Sequence, residues 1–235
     1  MMNELNILRD IIGCMPPTSL KPKEFFISWS GVPTLAYEGF SATLLNIKKK
    51  IAEQIPEIGK ENPGSLWPKT TIGTLQDGVK LSWSDVLALR NICDDLNEHI
   101  KSENFMLEIS KLFIVIFLCR SLEKRLITVP IELQTRKASN IDDHPQSEHL
   151  AKVATILNQF SKPNLKEYLP KLQIEGNRES HYRTIHIEST LVFDLQEQQP
   201  GYINTFIDKV NKNLPGFYCW FIPKSRHVTI RSLTV

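Results

Sequence analysis

The chain has 235 residues, 41% apolar and 23% charged, with 28 Lys and Arg against 26 Asp and Glu for a formal charge of +2. Ten glycines and 14 prolines are close to average usage, which excludes collagen-like and low-complexity chains. The apolar content excludes a chain too poor in core to fold, and this length hides roughly 70–75% of the unfolded surface, so one domain or two close lobes are expected.

The first 17 residues, MMNELNILRDIIGCMPP, carry Glu4 and Asp10 and lack a basic flank and a long apolar centre, unlike a secretory signal. Residues 33–40 (PTLAYEGF) form a strand-like run. Behind a Ser41 cap, Leu44, Ile47, Ile51 and Ile55 recur at helical spacing. The turn KENPGS leads to a second strand, residues 66–75 (LWPKTTIGTL). Residues 82–100 read as a helix with Val86, Leu89, Cys93, Leu96 and Ile100 on one stripe and Ser82 or Ser84 as cap. The longest apolar run, residues 112–119, is far shorter than the ~20 residues of a membrane helix and is rich in β-branched and aromatic residues. It reads as a buried strand, forming a hairpin through SLEK with residues 125–133.

Residues 135–147 are polar and turn-rich, a flexible connection between lobes. A helix with Leu150, Val153, Ala154, Leu157 and Phe160 on its inner face follows, and residues 161–178 show no clean period. Strand, helix and strand then return: residues 189–195 (STLVFDL), a helix with Tyr202, Phe206, Ile207 and Val210 on one face, a Pro215–Gly216 turn, and FYCWFIPKSRHVTIRSL. Laying TLAY (34–37) on TLVF (190–193) brings PKTTIGTL opposite PKSRHVTIRSL with a two-residue difference in spacing. The organisation expected is therefore one bilobal domain over residues 1–235. Its parts are a first lobe and hairpin (25–134), the connection (135–147) and a second lobe (148–235).

On a strand, residues two apart share a face, so HVTIR presents His227, Thr229 and Arg231 together, with Val228 and Ile230 opposite. An imidazole, a hydroxyl and a guanidinium in one row suit a phosphate: a proton carrier, a hydrogen-bond donor and a charge-balancing fork. Any half-exposed strand alternates in this way, so the row alone is weak. The duplication strengthens it, because Lys69, Thr71 and Gly73 fall opposite the same three positions.

On HVTIRSL, the repeated strand, helix, strand plan and the TLAY and TLVF strands, the sequence resembles the 2H phosphoesterase superfamily of LigT-like RNA ligases and cyclic nucleotide phosphodiesterases. The resemblance covers about half the chain. It implies an α+β fold of two pseudo-symmetric β-α-β halves with antiparallel sheets around a central groove. It also implies two H-x-T/S pairs that act without metal or cofactor, the histidines as base and acid and the hydroxyls on phosphate oxygens. The sequence departs from that pattern by placing Lys69 where the second His belongs. A free Lys titrates near 10.4 and serves as a base only if burial lowers that value strongly.

Two readings follow. In the first, a metal-independent phosphodiesterase acts on 2′,3′-cyclic phosphate RNA ends or small cyclic nucleotides. His227, Thr229, Lys69 and Thr71 are its catalytic residues, Arg231 and His186 add substrate contacts, and Trp67 and Trp220 stand ready to stack on a base. In the second, the same cleft is a non-catalytic nucleotide or RNA-end binding module. The protein is expected to be a soluble cytoplasmic monomer with no membrane partner. The Lys48–Lys50 run is read as a solvated helix face, the four cysteines as buried thiols, and His144 and His149 beside Asp142 and Asp143 as no metal site. P-loop, HExxH, GxSxG and Rossmann motifs are absent from the sequence.

Overall fold

The computed structural model describes residues 2–134 and 143–234. In chain order they form α1 (Met2–Gly13), β1 (Thr18–Leu20), β2 (Pro22–Ser28), β3 (Val32–Tyr37), α2 (Ala42–Gln54), β4 (Lys69–Thr71), β5 (Gly73–Leu75) and α3 (Trp83–Ser102). There follow β6 (Leu107–Ile109), β7 (Lys111–Phe117), β8 (Arg125–Glu132), α4 (Ser147–Asn158), α5 (Leu165–Gln173) and α6 (Glu179–Arg183). The chain ends with β9 (Glu188–Asp194), α7 (Tyr202–Asn213), β10 (Tyr218–Trp220) and β11 (His227–Ser232). Among the described residues no helix is long and apolar enough to cross a membrane.

The fold is α+β, and every described strand pair is antiparallel. One sheet has the order β2-β3-β4 and another β11-β9-β7-β8, while β1 pairs β6 and β10 pairs β5. Helix α2 lies between β3 and β4 in the chain, while β9 and α7 are followed by two strands, β10 and β11, and β4 lies against β11 where the two larger sheets meet. One contiguous apolar core runs beneath both. In it Phe25 of β2 stacks on Phe206 of α7 with ring centres 4.4 Å apart.

Local sequence explains the helices. The Ser41 hydroxyl caps α2 by accepting from the Leu44 amide, and Ser82 caps α3 in a reciprocal box with Asp85. On α3, Val86, Leu89, Cys93, Leu96 and Ile100 are buried, the stripe expected. Asn97 interrupts that face because its amide bridges the backbone N–H and C=O of Phe25.

Several expectations are revised. The single strand expected over residues 66–75 breaks at Ile72, and β5 leaves β4's sheet to pair with β10. Gly73 permits this approach, since a Cβ there would stand 2.6 Å from the Cys219 carbonyl oxygen. Residues 165–173 are helical, not irregular, with Leu165, Tyr168 and Leu172 buried at helical spacing despite Pro170. Helix α5 and the turn after α4, expected with the second lobe, reach β2 and α3: Tyr168 of α5 donates to the Ile27 carbonyl, and the carbonyl of Phe160, just past α4, accepts from Arg90. Most of the expected flexible connection, residues 135–142, lies outside the described residues. Its end is tied down, for the Asp143 carboxylate accepts from the Thr43 amide at 2.8 Å. Cys14 is exposed and Cys219 half-buried, so only Cys93 and Cys119 are the buried thiols expected.

Candidate functional site

Where β4 meets β11 the surface sinks into a cavity of about 200 Å³. Its walls include Lys69 and Thr71 from β4, His227 and Thr229 from β11, and Trp67 just before β4. The pleat explains the pairing within each strand. Thr70, between the two β4 residues, is fully buried with its hydroxyl 2.8 Å from Tyr37 Oη, and Val228 and Ile230 are likewise buried behind β11.

His227 is held by its backbone. Its Nδ1 is 2.7 Å from the Ser225 carbonyl oxygen, which only accepts, so Nδ1 carries the proton and Nε2 keeps a lone pair. Burial pulls this imidazole down to about 4, against the Ser225 carbonyl and the Asp194 carboxylate, which favour the charged ring. Lys69 donates from Nζ to the Gly64 carbonyl and stands 4.4 Å from the centre of the Trp67 ring. Burial, reinforced by the Lys48 charge, pulls its ammonium down to about 7. At neutral pH the cavity therefore offers a neutral imidazole and a lysine near half-protonation. Thr71 lies beside the Tyr182 hydroxyl, whose burial pushes it up to about 12.

The row expected on β11 is altered by a β-bulge. Thr229 pairs with Val192 and Arg231 with Leu191, so Ile230 is an extra residue and the alternation inverts after it. Arg231 thus turns into the interior, where its guanidinium reaches Glu61 and the Gly59 carbonyl, and Ser232 lines the cavity instead. An exposed cationic fork is supplied instead by Arg120, on the connection between β7 and β8, a residue that no pattern in the sequence singles out. Its guanidinium meets Glu188 Oε1 at 3.0 Å and the His181 ring at 3.2 Å, and both Arg120 and Glu188 line the cavity.

Trp220 is not among the lining residues. It lies across β5 and stacks on Tyr218 at 5.3 Å, with Nε1 donating to Asn211. His186 stands behind the wall with Nε2 3.4 Å from Glu188 and its ring edge-on to Phe117, so it touches lining residues without lining the cavity. Lys48 is buried instead of solvated, paired with Glu61.

The ladders also revise the internal alignment. Lys69 pairs with Ala36 and Thr229 with Val192. When TLAY is laid on TLVF these two partners coincide, so Lys69 matches Thr229 and the position matching His227 carries Trp67. Lys69 faces the same cavity as His227 without occupying the equivalent ladder position. In comparisons with known proteins, no family, curated protein or solved structure matches this chain.

Proposed function

We propose that the cavity is a phosphate site of the 2H phosphoesterase kind, and that the protein is a metal-independent phosphodiesterase for 2′,3′-cyclic phosphate RNA ends or small cyclic nucleotides. One observation carries this reading: Lys69, Thr71, His227 and Thr229, from two strands far apart in the chain, converge on one cavity. His227 Nε2 takes a proton from an attacking water, whose oxygen bonds to phosphorus while one ring P–O bond breaks. The Lys69 ammonium returns a proton to the departing oxygen. Thr71 and Thr229 donate to phosphate oxygens, and Arg120 balances charge in the part first given to Arg231.

The cavity volume of about 200 Å³ is below the ~300–1,000 Å³ of pockets that enclose a whole drug-sized ligand. That favours seating the reactive end of a longer RNA over engulfing a free nucleotide. The deciding assay incubates the protein, with chelator present, with 2′,3′-cyclic nucleotides and cyclic-phosphate-ended RNA. Turnover is expected, falling by about 10²–10⁴-fold in His227→Ala. Binding without turnover at high enzyme concentration would make the cavity a binding module and end the enzymatic reading.

A further inference from the structure

One wall of the cavity is formed by residues 59–65, between α2 and β4, which contribute Asn62, Gly64 and Ser65 and contain a single 3-10 turn (Pro63–Ser65). Their anchor is a buried charge cluster. Glu61 lies 2.5 Å from Lys48 Nζ of α2 and 3.7 Å from Arg231 Nη1 of β11, with side chains 15%, 8% and 5% exposed respectively. Both cations also hold the segment by its backbone. Lys48 donates to the Ser65 carbonyl at 2.7 Å and Arg231 to the Gly59 carbonyl at 3.1 Å. The segment is thus gripped at both ends by residues from both halves of the fold.

Burying three charges is a poor route to stability, since well-packed apolar side chains often do as well or better, and in this cluster the two cations direct hydrogen bonds to the segment's backbone. What this segment presents to the cavity is the Gly64 carbonyl, the acceptor for Lys69 Nζ. We infer that Glu61, clamped between Lys48 and Arg231, is a positioning residue that sets where the Lys69 amine stands in the cavity. Its bearing on catalysis rests on the phosphate reading above, but its geometry does not.

The test turns on a sign. The charged and titratable groups around Lys69 are Lys48 from α2 and, on the other cavity walls, His227, Arg120 and Glu188. If Glu61→Gln leaves the segment in place, Lys48 and Arg231 lose their counter-charge and Lys69 titrates at the same pH or lower. If the segment is released, the amine exchanges the Gly64 carbonyl for water, and because burial is the main cause of its lowered value its titration moves up by about one unit or more toward the ~10.4 of a free lysine. The measurement is an NMR titration of isotope-labelled lysine side chains in the full chain, with Lys69 assigned by Lys69→Arg. An upward move supports the inference, and an unchanged or lower value overturns it. Should Glu61→Gln fail to fold, Glu61→Asp keeps the charge and shortens the reach, and the same upward move is required. Because the readout is titration and not turnover, an inactive wild-type protein would defeat the enzymatic reading while leaving this result to be judged alone.

Discussion

His227 and Lys69 set the pH window of the proposed chemistry. A base that must be neutral and titrates at about 4, with an acid that must be charged and titrates at about 7, gives activity that rises through the first value and falls through the second. The pH profile of kcat/KM should therefore peak between them. In Lys69→Arg the side chain keeps its charge at every accessible pH, so the alkaline limb should vanish from what activity remains. Persistence of that limb near 7 would assign it to another group. Lys69→Met removes the acid altogether and is expected to cost about 10²–10⁴-fold in kcat. Much of this residue set was legible in the sequence, because alternation alone places His227 with Thr229 and Lys69 with Thr71. Arg231 was misread because a bulge inverts the faces and nothing in HVTIRS marks it. Arg120 was missed because it reaches the cavity only through tertiary packing of a hairpin connection.

At the scale of elements, two junctions hold the walls in register. Gly73 lets β5 pass against β10, and in Gly73→Ala the new Cβ would meet the Cys219 carbonyl at 2.6 Å and the Trp220 ring at 2.8 Å. Since the first obstacle is backbone, the strands must part, and a loss of about 1–3 kcal/mol is expected in denaturant unfolding. Unchanged stability would mean that the β5–β10 pairing contributes little. The second junction is the bidentate pair of Arg125 on β8 with Asp194 on β9, at 2.6 and 2.7 Å, where the carboxylate side chain is 2% exposed. Asp194→Asn leaves a guanidinium without its anion and is expected to cost about 3–5 kcal/mol. Asp194 also pairs across the ladder with His227 and favours its charged form, so the variant should lower the His227 titration further. Helices and hairpins with regular apolar spacing were visible from sequence. The break at Ile72 was not, because it is decided by β10, a partner distant in the chain, and the helix at residues 165–173 was hidden by Pro170 within its otherwise helical spacing.

For the whole molecule, the distribution of charge has a different meaning from the one its linear pattern gives. Residues 209–235 hold five Lys or Arg and no Asp or Glu, an excess that in the sequence points to a phosphate pocket around His227. Folding spends much of it elsewhere: Arg231 on Glu61, Lys209 on Asp95, and Arg226 in the interior. The cationic side chains that line the cavity, Lys69 and Arg120, come from other parts of the chain. Keeping a neutral imidazole in that cavity links stability to pH. His227 binds a proton in the unfolded chain below its ordinary 6.5 but in the folded chain only below about 4, so between those values the unfolded state holds more protons. Stability from this residue is fully present above 6.5 and is lost as pH falls toward 4. The slope is at most about 1.4 kcal/mol per pH unit. In His227→Gln that contribution is absent, so the difference in unfolding free energy between wild type and variant should narrow steadily from pH 6.5 to pH 4. Urea titrations across this range measure it, and parallel curves would show that the folded protein accepts a proton on His227 as readily as the unfolded chain does.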